Sequence, residues 1–113
     1  MTAPQDFQSL VVALLAATNA FDTDAAVALF APDAVIDDPS TGERFTGQHG
    51  VRDYVERFFV GYHTASVLLS VTPLEDGRAR ARVDFTGDFG HEIGRLDLTV
   101  ADGLITRIDA DLE

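Results

Sequence analysis

The chain has 113 residues, 46% of them hydrophobic and eight of them Phe, which suffices for one compact core without metal or disulfide support. Nineteen acidic residues against eight basic ones give a formal charge of −11, which repels nucleic-acid phosphates and anionic membrane surfaces, so neither is an expected partner. There is no cysteine and all eight basic residues are Arg, which excludes thiol nucleophiles, cysteine-ligated metals, side-chain Schiff bases and a P-loop lysine.

The opening Met1-Thr2-Ala3-Pro4-Gln5-Asp6 carries no positive charge, and the apolar run from Leu10 to Ala17 is too short to span a bilayer. The expectation is a soluble cytoplasmic protein of one domain over residues 1–113. Phe7, Leu10, Val11, Leu14 and Leu15 recur at helical spacing and predict a first helix from Pro4 to Ala20. Asp22-Thr23-Asp24 supplies capping oxygens for a short second helix over Ala25 to Phe30, closed by Pro32-Asp33. Val35-Ile36 is β-branched and is followed by the turn residues Pro39-Ser40-Thr41-Gly42, so residues 34–38 and 43–46 read as a small hairpin. A third helix follows Thr46-Gly47, with Val51, Tyr54, Val55, Phe58 and Phe59 on its apolar face and Gly61 as a left-handed stop.

Beyond Tyr62 the period changes to two, and residues 64–73, 78–87, 92–101 and 104–112 read as four strands. Asp76-Gly77 and Asp102-Gly103 are hairpin turns and Asp88-Phe89-Gly90 a looser one, which predicts an antiparallel meander. Helices first and strands afterwards predict an α+β fold, with one face of a strongly curved sheet packed on the helices around a hollow. Alternation puts Ala79, Ala81, Val83 and Phe85 on the inner face, with Leu96, Leu98, Val100, Ile108, Ala110 and Leu112. Arg78, Arg80, Arg82, Asp84 and Thr86 then form the outer face.

The stretch Asn19-Ala20-Phe21-Asp22, the segment ALFAPDAVIDDP at residues 28–39, Gly47 and Val51-Arg52-Asp53-Tyr54 resemble ketosteroid isomerases and SnoaL-like polyketide cyclases of the nuclear transport factor 2-like superfamily. The resemblance implies a cone-shaped fold of three N-terminal helices on a curved antiparallel sheet, a pocket for a small apolar molecule, no cofactor, and a homodimer paired through the convex sheet face. The fold hosts isomerases, cyclases, dehydratases, epoxide hydrolases and non-catalytic modules, so it does not name an activity.

In the ketosteroid isomerases the position of Asp38, just before Pro39, carries a general base that moves a proton beside a carbonyl. The resemblance therefore implies Asp38 as the catalytic residue, and the plain alternative is a turn carboxylate. The two oxyanion donors of that family fall at Leu14 and Leu96 here, and neither side chain donates a hydrogen bond. Losing one such donor costs about 10²–10³ in rate, which argues against authentic steroid isomerisation. Asp97 could stand in only after a one-residue strand slip that would turn Leu96, Leu98 and Val100 outward.

Replacement donors are sought in Thr18, Tyr54, Tyr62 and His63. Phe30, Phe58, Val83, Phe85, Leu98, Ile108 and Ala110 complete the expected ligand contacts. Asp37 is expected on the opposite, solvated face. His49, His63 and His91 are dispersed, and His91-Glu92-Ile93-Gly94-Arg95 lacks the second His of the zinc-protease motif, so no metal site is expected. Arg82-Val83-Asp84 resembles the Arg-x-Asp of limonene epoxide hydrolases, but Ala110 stands where their second Asp belongs. A charged outer sheet face is the simpler reading of that triplet. Three functions follow in order: an isomerase- or cyclase-like ligand-binding protein, a non-catalytic binding or dimerisation module, and an epoxide-hydrolase-like enzyme.

Overall fold

The computed structural model describes residues 7–113, so the part of the first helix expected at residues 4–6 lies outside the described residues. Helix α1 (Phe7–Asn19) buries Val11, Leu14, Leu15 and Thr18, the stripe that its apolar spacing predicts. Helix α2 (Thr23–Val27) is capped by Asp22, whose carboxylate accepts from the Ala25 amide at 3.1 Å. It ends earlier than expected. Phe30 leaves the helix and opens strand β1 (Phe30–Asp38), which pairs with β2 (Glu43–Thr46) as an antiparallel hairpin.

Helix α3 (Gly47–Val55) buries Val51, Tyr54 and Val55 and runs into one wide π turn over Glu56–Val60. That turn corrects the reading of Gly61, which is right-handed at φ −61°. Its lack of a side chain serves another purpose. A Cβ there would sit 2.6 Å from the Arg57 carbonyl oxygen, and the Gly61 amide instead donates to Glu56 O at 2.8 Å, five residues back. The left-handed residue that ends the segment is His63, at φ 53°.

Strands β3 (Ala65–Pro73), β4 (Arg78–Gly87), β5 (Gly90–Ala101) and β6 (Leu104–Leu112) form the predicted meander. Asp76-Gly77 and Asp102-Gly103 both have paired positive φ values, the geometry that twisted hairpins require of a two-residue turn. The sheet order is β2-β1-β6-β5-β4-β3, and β1 runs parallel to β6, a join that nothing in the local pattern announced. Extra residues in β1, β3 and β6 shift the register and accompany the sheet's curvature.

The inner face carries Ala79, Ala81 and Val83, all wholly buried, with Leu96, Leu98, Val100, Ile108 and Ala110 packed among α1 and α3. Each large apolar chain buried there contributes roughly 1.5–3 kcal/mol. Leu112 departs from the expectation: it shares that face but lies 41% exposed, because it sits at the open end of the sheet beyond the reach of the helices. The outer face is a lattice of ion pairs, among them Arg80 with Asp97, Arg82 with Glu113, Arg95 with Asp111, and Arg107 with Asp37 and Asp109. No helix among the described residues is long and apolar enough to cross a membrane.

Candidate functional site

Strand parity turns Ile36 and Asp38 to the inner face of β1, so the chain buries a carboxylate at the strand's end, 7% exposed. Burial of an anion demands compensation. Three donors supply it. The Ser40 amide and hydroxyl donate to Oδ1 at 3.0 and 2.6 Å, forming an Asx turn across Pro39, and the Tyr54 hydroxyl donates to Oδ2 at 2.6 Å from the facing helix. The Thr41 hydroxyl adds a bond to the Asp38 carbonyl at 2.8 Å. Tyr54 is itself buried, and desolvation, then the charge and hydrogen bond of Asp38, hold its phenol well above the usual tyrosine range, so it keeps its proton.

Tyr54 begins a run of ring contacts. Phe58 lies 5.2 Å and Phe59 6.0 Å from its centroid, Phe85 6.1 Å beyond Phe59, and Tyr62 6.0 Å beyond Phe58. The wide turn of the helix aims this run. Thr64 fastens its end, donating its hydroxyl to Phe58 O at 2.7 Å and its amide to Phe59 O at 2.8 Å. Together these groups wall a cavity of about 370 Å³ that buried Asp38 lines with Thr41, and whose exposed rim includes Ser40, Phe89, Glu92 and Leu112. That volume suits a small molecule.

A second space, about 20 Å³, lies deeper between Leu14, Thr18, Phe30, Leu96 and Ile108. It is nearly filled. The expected contact residues therefore divide. Asp38, Tyr54, Phe58, Tyr62 and Phe85 line the open cavity, while Leu14, Thr18, Phe30, Leu96 and Ile108 surround the closed one. Val83 and Leu98 are core, and Ala110 borders an outer-face cleft with Asp37, Arg95 and Asp97. His63 is exposed and pairs with Asp88 at 2.9 Å.

Of the four sought donors, Thr18 gives its hydroxyl to Leu15 O at 3.1 Å, and the phenols of Tyr54 and Tyr62 reach the cavity. Arg82 and Asp84 face outward, paired with Glu113 and His91, so no epoxide-opening set assembles inside. His49 is exposed in the first turn of α3, and no group of three or more metal-ligating side chains occurs among the described residues. The sequence reading did not place Ser40, Thr41, Phe59, Thr64, Phe89, Glu92 or Leu112 among the ligand contacts. Ser40 could have been found from the Asx-turn chemistry of Asp-Pro-Ser, and Glu92 from its parity with Leu96 and Leu98.

The family model for the SnoaL-like domain matches residues 11–108, most of the chain. The protein belongs to the SnoaL-like family. Among solved structures, this SnoaL-like chain is similar to a Sinorhizobium meliloti protein provisionally assigned as a polyketide cyclase, with 27% identity over 93% of this chain and 95% of that one and a TM-score of 0.83. A nuclear transport factor 2-like protein of unknown function from Cytophaga hutchinsonii has 13% identity, covering 100% and 95%, at a TM-score of 0.80. A Kribbella flavida protein provisionally assigned as a ketosteroid isomerase has 21% identity, covering 93% and 76%, also at 0.80. The last two likenesses show the shared fold.

Proposed function

We propose that the protein binds a small, mostly apolar molecule in the aromatic cavity and that Asp38 accepts a proton there from carbon next to a carbonyl. The observation that carries this reading is the Asp38–Tyr54 pair at 2.6 Å, a buried carboxylate and a phenol that keeps its proton, both on the cavity wall. Ser40 occupies Oδ1, and Oδ2 retains a lone pair beside the one that Tyr54 uses. When Oδ2 takes the proton, the C–H electron pair moves onto the carbonyl oxygen as an enolate. The Tyr54 hydroxyl, no longer drawn to an anion, is then free to donate to that oxygen. One phenol thus serves in place of the donors absent at Leu14 and Leu96. Return of the proton to a different carbon completes an isomerisation and leaves Asp38 ionised.

The test is conversion of cyclohex-3-enone to its conjugated isomer, followed by ultraviolet absorbance with wild-type, Asp38→Asn and Tyr54→Phe proteins. General base catalysis contributes about 10²–10⁴ in rate, so Asp38→Asn should fall to the buffer rate. Equal rates in wild-type protein and Asp38→Asn would overturn the assignment of a base. One observation favours a non-catalytic binding module as the second reading: Ser40 and Tyr54 already satisfy the Asp38 carboxylate with three hydrogen bonds, as they would a purely structural group. We also propose a homodimer joined through the ion-paired outer sheet face, which light scattering on a sizing column tests. A mass near 12.2 kDa at micromolar concentration would remove it.

A further inference from the structure

We propose that the cavity selects a cationic ligand, a small apolar amine whose ammonium group is held at the rim by the Glu92 carboxylate and the neighbouring aromatic ring faces. This deepens the reading above by naming a ligand class, and it rests on that reading only in requiring that the cavity bind a small molecule. Six of the chain's ten aromatic side chains wall the cavity: Tyr54, Phe58, Phe59, Tyr62, Phe85 and Phe89. Two carboxylates line it, and no Arg or His does. Outside the cavity, Asp24, Asp37, Glu43, Asp53, Asp97, Asp109, Asp111 and Glu113 each meet an arginine.

Glu92 is different. It stands opposite Phe85 across β4 and β5, on the inner face at the rim, and no ion-pair or hydrogen-bond partner meets it among the described residues. Arg57 lies over the Phe58 ring at 5.1 Å, but Glu43 and Asp53 already hold its charge outside the cavity. A carboxylate or phosphate entering here would meet two like charges and no counter-ion. An ammonium would meet ring faces carrying negative potential and the Glu92 carboxylate, within a molecule of charge −11 that concentrates cations around itself.

The test uses three probes of one skeleton, 2-phenylethylamine, 2-phenylethanol and phenylacetate, titrated at low salt into the full chain. Amide chemical shifts locate each probe, and wild-type protein is compared with Glu92→Gln. The expected result is an amine bound at least about tenfold more tightly than the alcohol, with phenylacetate weakest. In Glu92→Gln the amine's advantage should shrink by roughly threefold while the alcohol's affinity stays the same. Equal affinity for amine and alcohol in the wild-type protein, or an unchanged ratio in Glu92→Gln, would overturn the charge preference and leave the small-molecule site standing. If none of the probes shifts cavity resonances, the site reading falls, and this inference falls with it.

Discussion

The two ends of the cone share β1, β5, β6 and the α3 segment, yet the end that α1 covers is solid and the end that β4 walls is hollow. At the solid end, aliphatic chains from α1, β1, β5 and β6 pack against Phe30 and the inner sides of Tyr54 and Phe59 and leave about 20 Å³ between them. At the hollow end, six aromatic rings in tilted and edge-to-face contacts stand around about 370 Å³. Flat rings locked by their neighbours cannot collapse into the gap as Leu or Ile would, so a wall of Phe and Tyr holds a space open. The buried carboxylate reinforces the difference, because Asp38 must stay within reach of Ser40 and Tyr54.

The contrast predicts separable effects, and the largest belongs to the solid end. Leu98→Ala removes a wholly buried chain and should lower stability by about 2–5 kcal/mol in urea denaturation. It should leave the binding of a neutral probe in the cavity unchanged. Tyr54→Phe comes next. It strips one donor from a buried carboxylate and should cost about 1–3 kcal/mol by the same measurement, with the aromatic packing retained. If instead it is silent, Asp38 is not held by Tyr54 and the two ends differ less than described.

An alkaline titration sharpens the comparison further. Burial raises the Tyr54 phenol in the folded state, so its contribution is complete below the unfolded value of about 10 and is lost as pH climbs toward the folded one. In Tyr62→Phe, which leaves one tyrosine, phenolate absorbance should therefore appear together with unfolding rather than before it. The smallest effect is on the outer face. The hydrogen bond from Arg80 lowers Asp97 below the usual carboxylate range, so this pair stabilises the fold above the unfolded Asp value and stops doing so as pH falls through the folded one. Asp97→Asn should flatten that acid limb slightly in a denaturation series and leave the cavity untouched.

Much of the contrast was legible in the sequence. Helical spacing in α1, the two Asp-Gly turns and strand parity in β4 and β5 each report on near neighbours, and each gave the right element and the right face. Asp38 was marked by the family resemblance, since its place before Pro39 read equally as a turn carboxylate. What stayed hidden depends on groups distant in the chain. Tyr54 is sixteen residues from Asp38, and its hydroxyl finds the carboxylate only once α3 lies across β1. The division of one expected pocket into a filled half and an open half follows from ring orientations set by the π turn, which has no sequence signature as plain as a Pro or an Asp-Gly pair.

The parallel join of β1 to β6 also governs the order in which the molecule can be assembled. Asp37 lies beside Asp109, so this pairing closes a loop of about seventy residues, whereas every other strand pair is joined by a short turn. Such long closures are slow compared with hairpins. The β1–β2 hairpin can form early, but it docks onto the sheet only after β6 is in place, so the wall bearing Asp38 meets the wall bearing Phe85 and Glu92 as a late step of folding.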